Sequence, residues 1–234
     1  MYKKFLVFFI LASFPLLFSQ DFSYNQDQEI VVTIPNKVPL LSTAVLPFFD
    51  QGTTLSTEQL SKLQQALNFD FDHNGQTKTI TLSPDSLQSE DSNLDSFNQD
   101  FWRKKRVYYV IKGVAKGSLL TFSLYSSPDG RVRKTMDIQI TGDENKDRQE
   151  IHKIADSFFF SLFKEKGIAT SKIVYTLRKK APDGSNKWIS EVFQSDYDGH
   201  NKKQLTNEGG YIVTPSTFPK IEGIKNEYFF YVSY

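Results

Sequence analysis

The residues whose types could do chemistry are few and far apart. In "DFDHNGQ", Asp70, Asp72 and Asn74 put oxygens at alternate positions ahead of Gly75, as in the first half of a helix–loop–helix calcium loop. The twelfth position of such a loop is Thr81 here, not the bidentate glutamate it needs, and strand-type sequence follows. The stretch therefore reads as a plain turn after a helix, with a calcium module kept as a rival. His73, His152 and His200 stand in no metal-ligand spacing. His152 lies four residues before Asp156 and reads as half of a surface pair. There is no G-x-S-x-G elbow, no glycine-rich phosphate loop and no cysteine nucleophile. The expectation is a non-enzyme with no cofactor and no metal.

Two further motifs concern binding. "RKKR", Arg103 to Arg106, is too small a basic footprint for nucleic acid and reads as a solvated loop. The net charge of +1 agrees, since it gives no field that implies an anionic polymer or membrane. No nucleic acid and no small-molecule substrate is expected. "SDYDGHN", Ser195 to Asn201, ends an alternating run with a tight turn. Asp198 there can accept from backbone amides ahead of it, and Gly199 supplies a positive φ.

The elements that would carry these residues follow from periodicity. "LLSTAVLPFFD" is a near-continuous apolar run of the kind buried on both sheet faces. "LSTEQLSKLQQAL" starts a helix, with Ser56 and Gln59 as a capping box, Leu55 stapled on Leu60, and Leu60, Leu63 and Leu67 on one face. Residues 83–100 form a polar loop, with a short helix around Leu94 to Trp102. Three strands follow, turning at Lys116-Gly117 and at Pro128-Asp129-Gly130, with Val132, Met136, Ile138 and Ile140 mostly on one face. A second helix carries Ile151, Ile154, Ala155, Phe158, Phe159, Leu162 and Phe163 at helical spacing. Thr141 and Glu144 are placed for its capping box, and Gly167 for a left-handed C-terminal residue. Beyond residue 170 the period becomes two, giving a hairpin, a short "KKQLT" and a last apolar strand, "EYFFYVSY". The aromatic content, 15%, suits such strands. The fold class expected is α/β: a mixed sheet of about five strands with two helices on one face, then an incomplete all-β propeller segment.

"MYKKFLVFFILASFPLLFSQ" has the basic start, short apolar centre and small residue of a secretory signal, cut after Ser19. A chain with no cysteine carries neither disulfides nor a lipidated cysteine. The expected address is the periplasm.

Several pieces in order resemble the TolB family of the Tol-Pal envelope system. They are "EIVVTI", "TAVLPF", "HKIADSFFFSLFKEKGIATSKIVYT", then Ser195 to Asn201, Leu205-Thr206, Pro215 and Pro219, and Tyr231-Val232-Ser233. The resemblance implies a non-catalytic periplasmic protein with an N-terminal α/β domain followed by a six-bladed propeller. In that family the N-terminal segment engages TolA by strand pairing and the propeller binds the lipoprotein Pal. Carried over, the domains are a signal at 1–19, a TolB-like α/β domain at 20–170, and a first blade at 171–234. The chain looks truncated after about one blade, because a propeller closes only with about 4–8 blades. A lone blade would leave Phe229-Phe230-Tyr231 unpaired.

The partner implied is a TolA-like inner-membrane protein, bound through Ile30, Val31, Val32, Thr33 and Ile34, a β-branched run suited to strand addition. The same run suits an edge strand of its own domain. A Pal-like lipoprotein is expected to bind weakly or not at all, since most of the propeller surface is missing. The alternatives are the propeller part of an exported prolyl-oligopeptidase-like hydrolase and a non-functional TolB relic. The helix-rich domain ahead of the blade and the missing nucleophile elbow weigh against the hydrolase.

Overall fold

The structure is a computed structural model that describes residues 39–81, 93–182, 184–218 and 228–234. The signal segment and Ile30 to Ile34 lie outside those residues.

The apolar run after residue 40 forms two strands, not one: β1 (Leu41–Val45) and β2 (Phe49–Thr53). Pro47 falls between them and has no N–H for a ladder. Both segments pair in parallel with β4 (Tyr109–Gly117). Between β2 and β4 the chain makes α1 (Thr57–His73) and β3 (Thr77–Thr79), which returns parallel to β1. The capping box forms as the sequence implies: Ser56 Oγ accepts from Gln59 N at 3.2 Å, and Gln59 Oε1 accepts from Ser56 N at 2.9 Å. The calcium-like stretch divides its oxygens among separate partners. Asn74 Oδ1 accepts from the amides of Gln76 and Thr77, while Asp72 accepts from Lys78 and Thr79. Asp70 points inward and is buried. Asp70 to His73 form the last turn of α1, and only Asn74 to Gln76 make the turn that follows it.

β5 (Leu119–Ser126) and β6 (Arg131–Gln139) complete a six-stranded mixed sheet by antiparallel pairing. A bulge between Leu124 and Tyr125 slips the register, so Val132 opposes Tyr125 while Lys134 opposes Leu124. Val132 therefore leaves the face shared by Met136 and Ile138 and is exposed.

α3 (Glu144–Phe163) is capped by Asp143, not by Thr141. The Asp143 carboxylate accepts from Asn145 N and Lys146 N, and Thr141 instead donates to Asp147 through its N–H and hydroxyl, both at 2.8 Å. Lys164, at φ 60°, takes the left-handed C-terminal position expected of Gly167. Gly167 serves a different need. A Cβ there would sit 2.1 Å from Asp156 Oδ1 and 2.8 Å from the Asp156 Cα. Asp156 in turn accepts from the amides of Ala169 and Thr170, which ties the chain leaving α3 back onto the helix.

The core lies between one sheet face and the pair α1 and α3, where Leu63, Leu67 and Phe71 meet Ile111, Phe122, Leu124, Ile151, Ile154 and Phe158. The opposite face is covered by a third, short helix, α2 (Gln99–Lys104), whose Trp102 packs with Ala44, Leu46, Val110 and Tyr125. The buried Lys112 amine on that side donates to the carbonyls of Ser96 and Asn93.

After α3, β7 (Lys172–Lys180), β8 (Trp188–Asp196) and β9 (Lys203–Gln204) form an antiparallel sheet. β10 (Ile212–Thr217) pairs with β11 (Phe229–Ser233) across a bulge beside Pro215. Phe229, Phe230 and Tyr231 thus sit on a backbone-paired strand, contrary to the expectation that they would stand unpaired. Their side chains are partly or fully exposed all the same. Among the described residues no helix is long and apolar enough to cross a membrane.

Gly167→Ala should destabilise the fold by roughly 1–3 kcal/mol, because Asp156 must give way. Lys164→Gly should be neutral or stabilise by up to about 1 kcal/mol. Urea denaturation midpoints check both. Equal effects would mean that Gly167 is not the site of close approach.

Candidate functional site

Five side chains from separate parts of the chain converge where the helices meet the turn after β8. Arg148 and His152 are one helical turn apart on α3, beside its apolar stripe. Asp70 faces them from the C-terminal part of α1. Asp198 and His200 come from the turn that joins β8 to β9. That turn is self-supporting: His200 N donates to Asp198 Oδ1 at 3.0 Å, Gly199 N donates to Asp196 O at 2.9 Å, and Gly199 sits at φ 82°.

His152 is the hub. Its Nδ1 lies 2.7 Å from Asp70 Oδ2 and its Nε2 lies 3.4 Å from Asp198 Oδ2. Arg148 pairs with the same Asp198 oxygen, approaches His200 Nδ1 at 3.1 Å and donates to the Lys62 carbonyl at 3.4 Å. All but His200 are essentially buried, with His152 2% and Asp70 3% exposed. The reading of His152 as a surface partner of Asp156 is thereby corrected. Asp156 is spent on the backbone after α3, and His152 turns toward α1. Tyr197 reinforces the contact, donating to the His73 carbonyl at 2.7 Å and meeting Phe69 edge-on.

The electrostatics follow from this geometry. Burial disfavours the His152 imidazolium, but the neighbouring Asp198 carboxylate and the hydrogen-bonded Asp70 outweigh it and raise its pKa from 6.5 to about 9. Burial also opposes the Asp198 carboxylate, yet His152, the His200 amide and Arg148 hold it far below the usual range. Asp70 moves the other way. Burial raises its pKa more than His152 lowers it, Asp198 adds repulsion, and its Oδ1 has no hydrogen-bond partner among the described residues. A charged imidazolium therefore sits between two carboxylates, with Asp198 the more firmly ionised.

One atom each from His152, Asp196 and Asp198 lie within 4.8 Å of one another, a set whose types could hold a cation. Lys172 already pairs with Asp196 and Arg148 with Asp198. A divalent ion would have to displace both cations and a proton held to about pH 9. The arrangement suits an ion-pair clasp better than a metal centre.

No family model matches the chain. The TolB homologue of Protochlamydia amoebophila is 33% identical over 234 residues, which is 99% of this chain and 49% of that protein. The chain is TolB-like. The TolB homologue of Chlamydia felis is 40% identical over a shorter stretch, 41% of this chain and 21% of its own length. The crystal structure of TolB from Acinetobacter baumannii covers 76% of this chain and 41% of its own, with a TM-score of 0.57 and 18% identity, and so supports the fold. The TolB-like chain spans about half the length of the first of these relatives, and a smaller share of the others.

The sequence reading of this TolB-like chain missed the clasp. Arg148 and His152 both fall beside a strongly apolar helical stripe, and two cationic groups there are the signal that could have exposed it. Asp198 was recognised only for its local turn. The predicted partner-binding run, Ile30 to Ile34, lies outside the described residues.

The clasp makes a pH signature. The raised pKa of His152 contributes stability that is full below about 6.5 and is lost as pH rises through about 9. The depressed pKa of Asp198 contributes above its unfolded value of 3.8 and is lost as pH falls below it. Stability should therefore peak between those limits. His152→Gln should remove most of a decline on the order of 3 kcal/mol between pH 6.5 and 9.5. Denaturation midpoints across that range check it. Parallel pH profiles for the two proteins would show that the imidazolium is not held there.

Proposed function

We propose that the chain is a non-catalytic interaction protein of a Tol-Pal-type envelope system. In this reading it is exported by residues 1–19 to the periplasm and binds a TolA-like inner-membrane protein through Ile30 to Ile34. The observation that carries the reading is the match to the Protochlamydia TolB homologue along 99% of the chain. The order of elements supports it: a mixed sheet backed by α1 and α3, then antiparallel sheets. The reading divides the chain as 20–170 and 171–234. The site chemistry supports it too. The buried histidine and carboxylates are neutralised by one another, and none is left poised as a nucleophile or base. The reading includes no nucleic acid and no small-molecule substrate. It assigns no site to a Pal-like lipoprotein, because the resemblance puts that contact on a complete propeller.

Ile30 to Ile34 suits strand addition on physical grounds. An extended β-branched segment supplies main-chain hydrogen bonds to a partner sheet edge and alternate side chains to its pockets. Deleting residues 20–34 should weaken binding to the C-terminal domain of the organism's TolA-like protein at least tenfold, about 1.4 kcal/mol. The thermal midpoint should hold steady. Titration calorimetry with a parallel melting curve reads both, and full-strength binding by the deleted chain would refute the assignment.

A further inference from the structure

The basic run Arg103 to Arg106 is unused by the reading above. It borders a cleft of about 410 Å³, lined by Arg103, Arg106, Val107, Tyr108, Ser127 and Pro128. That is a volume typical of small-ligand sites. The geometry points to this cleft as a binding site for a phosphate-bearing ligand, held by the guanidinium groups of Arg103 and Arg106.

Three observations carry this. The first is that both arginines are exposed and neither forms an ion pair with a carboxylate among the described residues, so their charge is available.

The second is the backbone of Arg106. α2 ends in a Schellman arrangement, with Val107 N donating to Trp102 O at 3.0 Å and Arg106 N donating to Arg103 O at 2.9 Å. The position between, at φ 57°, is one where glycine is unstrained and arginine is not. Strain of this kind is tolerated where the side chain is of use. Ser42 Oγ donates to the Arg106 carbonyl at 2.5 Å and fixes that conformation.

The third is Ser127 on the facing wall. It is fully buried, and its Oγ has no hydrogen-bond partner among the described residues. Its backbone is fully engaged: the amide donates to Tyr108 O at 2.8 Å and the carbonyl accepts from Gln99 Nε2 at 3.1 Å. A buried hydroxyl without a partner, on a residue behind a cleft that carries two guanidiniums, is a donor that a ligand oxygen entering the cleft would satisfy.

Donor number selects the ligand class. Each guanidinium carries five N–H groups, and Ser127 adds a hydroxyl. This exceeds what the two oxygens of a carboxylate use well, and suits the three terminal oxygens of a phosphate. The exposed Lys104 beside them adds to the positive field. Tyr108 and Pro128 give the cleft an apolar wall for the body of the ligand.

The test is calorimetric titration of the full chain with inorganic pyrophosphate, and with malonate as a dicarboxylate of the same sign. Pyrophosphate should bind at least tenfold more tightly than malonate. Arg106→Gly should weaken it at least tenfold while keeping or raising the melting temperature, since glycine relaxes the helix end. Ser127→Ala should weaken it with the melting temperature unchanged. Co-sedimentation with phosphatidylglycerol vesicles, lost in Arg106→Gly, would assign the phosphate to a lipid headgroup. Pyrophosphate binding without co-sedimentation would assign it to a free phosphorylated ligand. No pyrophosphate binding at millimolar concentration, equal binding of malonate, or undiminished binding by Arg106→Gly would overturn the proposal.

Discussion

The contact between the helices and the sheet that follows α3 centres on one buried carboxylate, that of Asp198. It is carried into the protein by a tight turn and meets Arg148 and His152 there, while His152 reaches on to Asp70. Withdrawing these groups from water is costly, and such networks add little net stability over a well-packed apolar equivalent. What they add is direction. A hydrogen-bonded ion network accepts few geometries, whereas apolar contact accepts many. The cost of breaking the network is large for the same reason, because removing Asp198 strands two buried cations at roughly 3–5 kcal/mol.

The turn itself explains why this works. Asp198 uses one oxygen on the His200 amide and the other on the helix cations. Its conformation is therefore set locally before the distant contact is made, and little entropy remains to be lost on docking. Tyr197, one residue earlier, lands on Phe69 and the His73 carbonyl at the end of α1. The helix end that resembles half of a calcium loop is thus an acceptor surface for this turn.

Much of the fold was legible because its determinants are local. The Ser56–Gln59 capping box, the Leu60, Leu63 and Leu67 stripe and the turns at Gly117 and Gly130 need only neighbours in sequence. The misreadings share a cause, which is that a local pattern had a nearby competitor. Asp143 outcompetes Thr141 for the α3 cap, Lys164 ends that helix before Gly167 can, and a bulge turns Val132 to the other face. β10 was missed because Pro215 argues against a strand, and the bulge beside it absorbs the difficulty. The clasp was the least legible part. Its pairs join residues 82 apart, Asp70 to His152, and 50 apart, Arg148 to Asp198, which no window of sequence connects.

A double-mutant cycle between His152→Gln and Asp198→Asn, read by urea denaturation at pH 6, tests the clasp most directly. The account predicts a coupling energy above about 1.5 kcal/mol, since either single change already breaks the network. Additive effects, within about 0.5 kcal/mol, would show that the two side chains do not act together and would contradict it.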